Sequence, residues 1–177
     1  MSAVFTNKQR VHNLIKLRDE ENLYLAIGRT TPWTDEENPD TPLVTQDEVE
    51  ELIYIKKIMV KHAVVLEDPY DAYSASVTIN GINYDYVEDD DVVYDTPILK
   101  LYLNTQILFS DIAPTDTTFR QIGILLNPKD SSGELLTNAE YLAASVADQG
   151  ELLYVSNHKA ITRDPSQSEK YDFLLIF

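Results

Sequence analysis

The stretch LYLAIGRTTPWTDEENPDTP, residues 23–42, changes character at one glycine. Leu23 to Ile27 carries only apolar and aromatic side chains, the composition of a strand covered on both faces. Such a strand needs a layer on each side, so it predicts a β-rich core. Gly28 ends it, read here as a turn whose backbone angle other residues resist. Pro32, Pro39 and Pro42 then prevent a regular central strand, and Trp33 is the only large anchor within the segment. The expectation is a core strand followed by a stiff loop, in which Arg29 donates hydrogen bonds that fix the backbone and Pro32 and Trp33 form a corner. Trp33 either covers the domain's own core or anchors a neighbouring protein. Arg29, Pro32 and Trp33 are therefore the candidate interaction residues.

Outward from this stretch, the segments 22–28, 53–66, 74–79, 82–87, 98–109, 118–126, 151–156 and 170–177 read as strands. Asn80-Gly81, between Val77-Thr78-Ile79 and Ile82-Asn83-Tyr84, predicts a two-residue hairpin, because a type I′ turn needs two positive backbone angles. In Thr118 to Leu126, alternation puts Arg120 on the same face as Ile122, Ile124 and Leu126. An inward arginine needs a carboxylate or carbonyl partner, and a structural role outweighs a ligand role. The ending YDFLLIF is apolar on both faces from Phe173 onward, which predicts a central or near-central strand, with a terminal strand inserted into a partner as the alternative.

Capping chemistry marks helix starts. Thr6-Asn7-Lys8-Gln9, Thr45-Gln46-Asp47-Glu48 and Thr137-Asn138-Ala139-Glu140 each place a hydroxyl three residues before a Glu or Gln. Val44 can staple to Val49, and Leu136 to Tyr141. These signals predict helices near 7–19, 46–52 and 138–147, the first with Val11, Leu14, Ile15 and Arg18 on one narrow stripe that packs on a sheet. The fold class is α+β, a predominantly antiparallel β-sheet core with about three short helices. With no repeat or low-complexity linker, and loops at 67–73, 88–96, 110–117, 127–136 and 157–168, residues 1–177 are expected to form a single domain.

Composition limits the function. The chain has no cysteine, so disulfides and thiolate metal sites are excluded. No signal-like leader is visible and no apolar run approaches the roughly 20 residues that span a bilayer, so a soluble, non-exported chain is expected. Thirty acids against 14 Lys and Arg give a formal charge of −16, which repels a phosphate backbone and argues against nucleic acid as a partner. Eleven tyrosines against five glycines favour strands and interfaces, since Tyr joins a broad apolar face to a polar tip.

The parts of common catalytic sites are missing. His12, on a helix, His62, in a strand, and His158, in a turn, stand alone without HExxH spacing, and there is no GxSxG elbow or Walker loop. Glu88-Asp89-Asp90-Asp91 lacks the ligand spacing and central glycine of an EF-hand and reads as a solvated turn. Gly28-Arg29 is followed by Pro32 and Trp33 where a phosphate site needs a helix N-terminus. No catalytic residue, metal ligand, cofactor or small-molecule substrate is assigned. A carboxylate-based hydrolase remains an alternative, although no acid pair stands above the background.

The segments LYLAIGRTTPW, ILKLYLNTQILF leading into TTFRQIGILLNP, and GELLYVSNHKAITRDPSQSEKYDFLLIF, with the opening TNKQRVHNLIKLRDEENLYLAIGR, carry a family likeness. In this order they resemble the baseplate wedge subunit of T-even and other contractile-tailed bacteriophages. No single motif is diagnostic; the shared order, touching both ends and most of the middle, makes the likeness. This chain would be a compact version, lacking a large insertion between the Asn80-Gly81 hairpin and the 98–109 strand. The resemblance implies a non-enzymatic virion protein, assembled in the host cytoplasm into the tail baseplate. There it would join neighbouring wedge proteins, pair with a second copy of itself, and link the inner baseplate to peripheral receptor-binding elements. A different virion connector, at the neck or tail completion, is the alternative.

Two copies this acidic must bring like charges together, and salt screens that repulsion over about 8 Å at physiological strength. Self-association is expected to strengthen as salt is raised, as light scattering across a salt titration would show; weakening would instead reveal complementary charged patches.

Overall fold

The computed structural model describes residues 6–66, 76–87, 99–108, 111, 118–163 and 168–177. The loops expected at 67–73 and 88–96, most of 110–117, and the acidic run at 88–91 lie outside the described residues. The chain divides into two compact units, one of Met1–Glu21, Met59–Asn104 and Tyr171–Phe177, the other of Asn22–Ile58 and Thr105–Lys170. Every strand pairing of described register is antiparallel.

The unit of Asn22–Ile58 and Thr105–Lys170 holds β1 (Leu23–Gly28), β2 (Tyr54–Lys57), β7 (Thr118–Leu126), β8 (Glu140–Leu142) and β9 (Glu151–Thr162) in a sheet of order β8-β2-β1-β7-β9. β1 is central and all six of its residues are buried, as a strand without polar residues must be. One face carries a core of Tyr24, Ala26, Val49, Ile55, Leu125 and Leu136. The buried Tyr24 hydroxyl lies 2.9 Å from the Leu136 and Asn138 carbonyl oxygens, and burial pushes its pKa up. β9 continues past the expected end at 156 along an edge of the sheet beside β7: Ser156 and Asn157 pair with Ile122 and Gln121, and after a register shift Ile161 and Thr162 pair with Phe119 and Thr118.

The unit containing Met59–Asn104 carries a second sheet, of order β10-β6-β3-β5-β4, built from β3 (Val60–Leu66), β4 (Ser76–Ile79), β5 (Ile82–Tyr86), β6 (Lys100–Ile107) and β10 (Glu169–Ile176). The run expected as one strand at 53–66 is two, β2 in one sheet and β3 in the other, broken at Ile58 and Met59. Asn80 at φ 52° and Gly81 at φ 78° make the expected two-residue turn between β4 and β5. Val64, Ile79, Tyr84 and Tyr102 form the core, and Leu174 packs against it. α1 (Asn7–Asp19) is capped by the Thr6 hydroxyl, which accepts from the Gln9 amide, and buries Val11 and Leu14 while packing on β3.

Further expectations fail for physical reasons. α1 is the single α-helix among the described residues, where about three were expected. At 46–52 the donors that a helix would satisfy internally go elsewhere: the Val49 amide donates to Gln149 Oε1 and the Glu50 amide to Gln121 Oε1, and Glu51 sits at φ 46°. Val44, the expected staple, is fully exposed. At 138–147 the Tyr141 hydroxyl accepts from the Thr137 and Asn138 amides, and Glu140–Leu142 pairs with β2 before a short 3₁₀ turn at Ala143–Ser145. The C-terminal β10 is an edge strand, not a central one. Its residues from Phe173 to Leu175 are half-buried and Ile176 is exposed, so apolarity on both faces did not signal two flanking strands.

Gly28 has no left-handed backbone angle; the residue that does is Arg29, at φ 56°. The glycine is needed for close approach. A Cβ on Gly28 would lie 2.6 Å from Val49 Cγ1, and one on Gly123 in β7 would lie 2.5 Å from Val49 Cγ2. Gly123→Ala is therefore expected to destabilise the chain by about 1–3 kcal/mol through overpacking. Adding Val49→Ala should recover part of that loss, giving non-additive midpoints in urea unfolding.

Candidate assembly site

The connection from β1 to β2, residues 29–53, has no regular strand or helix, yet side chains bind it closely to its sheet. At its start the Arg29 amide donates to the Glu50 carbonyl at 2.6 Å and the Arg29 guanidinium pairs with the Glu50 carboxylate. That guanidinium also lies over the Trp33 ring, 3.6 Å from its centre. Arg29 thus donates to Glu50 at the start of the loop. Trp33 is 6% exposed, with its indole nitrogen donating to the His158 carbonyl in β9 at 2.8 Å, while Pro32 beside it is exposed. His158 lies in a strand rather than the expected turn, and burial lowers its pKa.

Arg120 finds both kinds of partner that an inward arginine needs. Its Nε donates to Glu36 Oε1 at 2.7 Å and its Nη1 to the Thr30 carbonyl. The same Glu36 oxygen accepts the Trp33 amide at 3.0 Å. Burial alone would raise the Glu36 pKa, but the Arg120 bond and charge and the Trp33 amide outweigh it and hold the carboxyl low.

Glu51 closes the other end. Its carboxylate accepts the Thr30 and Thr31 amides at 2.8 and 2.9 Å, together with both threonine hydroxyls. The fold thereby brings Arg29, Pro32 and Trp33 together, with Glu36, Glu50 and Glu51 as the acids that hold them. The roles of Glu51, Gln121 and Gln149 were not anticipated; the one available signal was a glutamine within the apolar run of β7, where Gln121 is fully buried. Among the described residues, no group of three or more His, Asp or Glu is placed to hold a metal ion. No helix among them is long and apolar enough to cross a membrane.

A surface loop fixed this firmly to a β core, with Glu36, Glu50 and Glu51 engaged by neighbours, has the character of a structural module. The sequence model described as a baseplate wedge 3 tail fiber network component matches residues 2–177. Virion protein 3 of Enterococcus phage phiEF24C is 30% identical over 181 residues, which cover 98% of this chain and 94% of that protein. The chain belongs to the baseplate wedge 3 tail fiber network family. It is a structural component of a phage virion, located in the tail baseplate.

The loop anchor carries a pH signature. Hydrogen bonds from the Thr30 and Thr31 hydroxyls, then from their amides, lower the Glu51 pKa from 4.5 to about 2. A depressed carboxyl contributes stability that is fully present above its unfolded value and is lost as pH falls through its folded value. The stability difference between the chain and Glu51→Gln should therefore be constant above about pH 4.5 and shrink toward pH 2, as paired urea titrations at each pH would show. Solvent exposure of this carboxylate keeps the effect small.

Proposed function

We propose that the chain is a rigid, non-enzymatic joint of the baseplate wedge. It holds neighbouring wedge proteins, pairs with a second copy of itself, and links the inner baseplate to peripheral receptor-binding elements. The observation that carries this reading is the 29–53 connection: it is long, irregular and exposed at Pro32, but bonded at both ends and from the middle of β7. A connection this long without regular structure tends to be either disordered or functional. Membership of a tail fiber network family supports a linking role.

Trp33 in this reading acts indirectly. Its ring, covered by Arg29, holds the corner so that Pro32 and its exposed neighbours meet a partner in one geometry. The low pKa values of Glu36 and Glu51 favour the absence of hydrolase chemistry at this site, since a general acid needs a raised carboxyl. Residues 1–177 are taken as a single domain because each compact unit combines separated segments, so neither is an excisable stretch of chain.

The test compares Pro32→Lys with Trp33→Ala in tail assembly. The first should keep native circular dichroism and thermal midpoint yet enter fewer baseplates. The second should lose roughly 3–5 kcal/mol of stability before any assembly step. Normal incorporation of Pro32→Lys, or a baseplate reconstruction in which this corner faces solvent, would overturn the corner's role.

A further inference from the structure

Beyond the Trp33 corner, the same connection exposes an apolar tip. Leu43 is 72% exposed and Val44 104%, two consecutive branched side chains held outward by a turn in which the Gln46 amide donates to the Leu43 carbonyl at 3.0 Å. The tip does not swing on free ends. On one side Asn157 donates to the Asp40 carbonyl at 2.6 Å, and on the other Gln149 takes both the amide and the carbonyl of Val49.

The flanking sequence has one sign. From Thr30 to Ile55 the sequence contains no Lys or Arg. Glu36 and Glu37 are engaged by Arg120 and Lys159. Asp40, Asp47 and Glu48, exposed and closest in sequence to the tip, have no ion-pair partner among the described residues. An apolar point flanked in sequence by uncompensated carboxylates is complementary to an apolar depression bordered by Lys or Arg.

We infer that the Leu43–Val44 tip is a plug for a basic-rimmed apolar pocket on a different baseplate protein, with Asp40, Asp47 and Glu48 orienting its entry. The net charge of −16 makes a second copy of this chain the poorer occupant. This inference rests on the proposed joint and adds the chemistry of one partner.

The experiment places a photo-reactive residue at position 44 in the full chain, assembles tails, irradiates them and maps the joined peptides by mass spectrometry. The expected adduct lies on a different tail protein, at an apolar surface with Lys or Arg beside it. Its yield should fall roughly tenfold or more with Leu43→Ser, the scale of one lost apolar anchor, and fall less with Asp47→Asn plus Glu48→Gln. Thermal midpoints of these exposed-site variants should match that of the unaltered chain. An adduct to a second copy, an adduct to a surface without basic residues, or no adduct in baseplates that contain the chain would overturn the inference while leaving the joint intact. Absence of the unaltered chain from purified baseplates would overturn the joint and the inference together.

Discussion

Val49 sits where two neighbouring strands have no side chain. Its two methyl groups occupy the positions that Cβ atoms of Gly28 and Gly123 would approach, one glycine in β1 and one in β7. Pairing of Ala26 with Gly123 and of Gly28 with Gln121 puts both gaps on one face of the sheet. A residue from an irregular connection can therefore enter the core, and Val49 is 1% exposed. The far end of the 29–53 connection is set by that insertion. With Val49 fixed, Glu50 and Glu51 are placed to meet Arg29, Thr30 and Thr31, and the far end of the loop is tied to its beginning.

The sheet holds the loop by alternation as well. Arg120 and Gln121 are consecutive in β7 and point to opposite faces. Arg120 binds Glu36 and the Thr30 carbonyl, while Gln121 accepts the Glu50 amide at 2.8 Å. One strand thus grips both arms of the same connection. Burying such polar groups is costly unless they are paired, and here pairing is the source of order. Two atoms stay outside it: Glu36 Oε2 and Arg29 Nε are buried without a hydrogen-bond partner.

What the sequence showed depended on whether a signal was local. α1, β7 and the Asn80-Gly81 turn lie where expected, since capping, alternation and positive backbone angles are fixed by a few adjacent residues. The other two capping boxes were overruled by residues distant in the chain, Gln121 and Gln149 at one and β2 at the other. The meaning of Gly28 was hidden for the same reason: close approach by Val49 leaves no mark in the sequence around it. In the site, Arg29 as donor and Arg120 as an arginine needing partners were legible. Which carboxylates answered them was not, because with 30 acids in the chain sequence alone cannot choose among them.

The same order bears on how such a chain performs in an assembly. Association costs translational and rotational freedom, and a loop that must also order on contact adds a further cost per immobilised residue. The 29–53 connection has met that second cost during folding, through Val49 and the ties to Glu51, Arg120 and Asn157. Apolar surface at Leu43 and Val44 can then contribute to binding without that ordering cost. In the proposed contact, the unpaired acids near it in sequence would lend direction rather than strength, because exposed charge is screened within about 8 Å at physiological salt. If the proposed contact forms, a tip tied at both sides would pass displacement of its sheet to the partner, which a flexible linker of the same length would absorb.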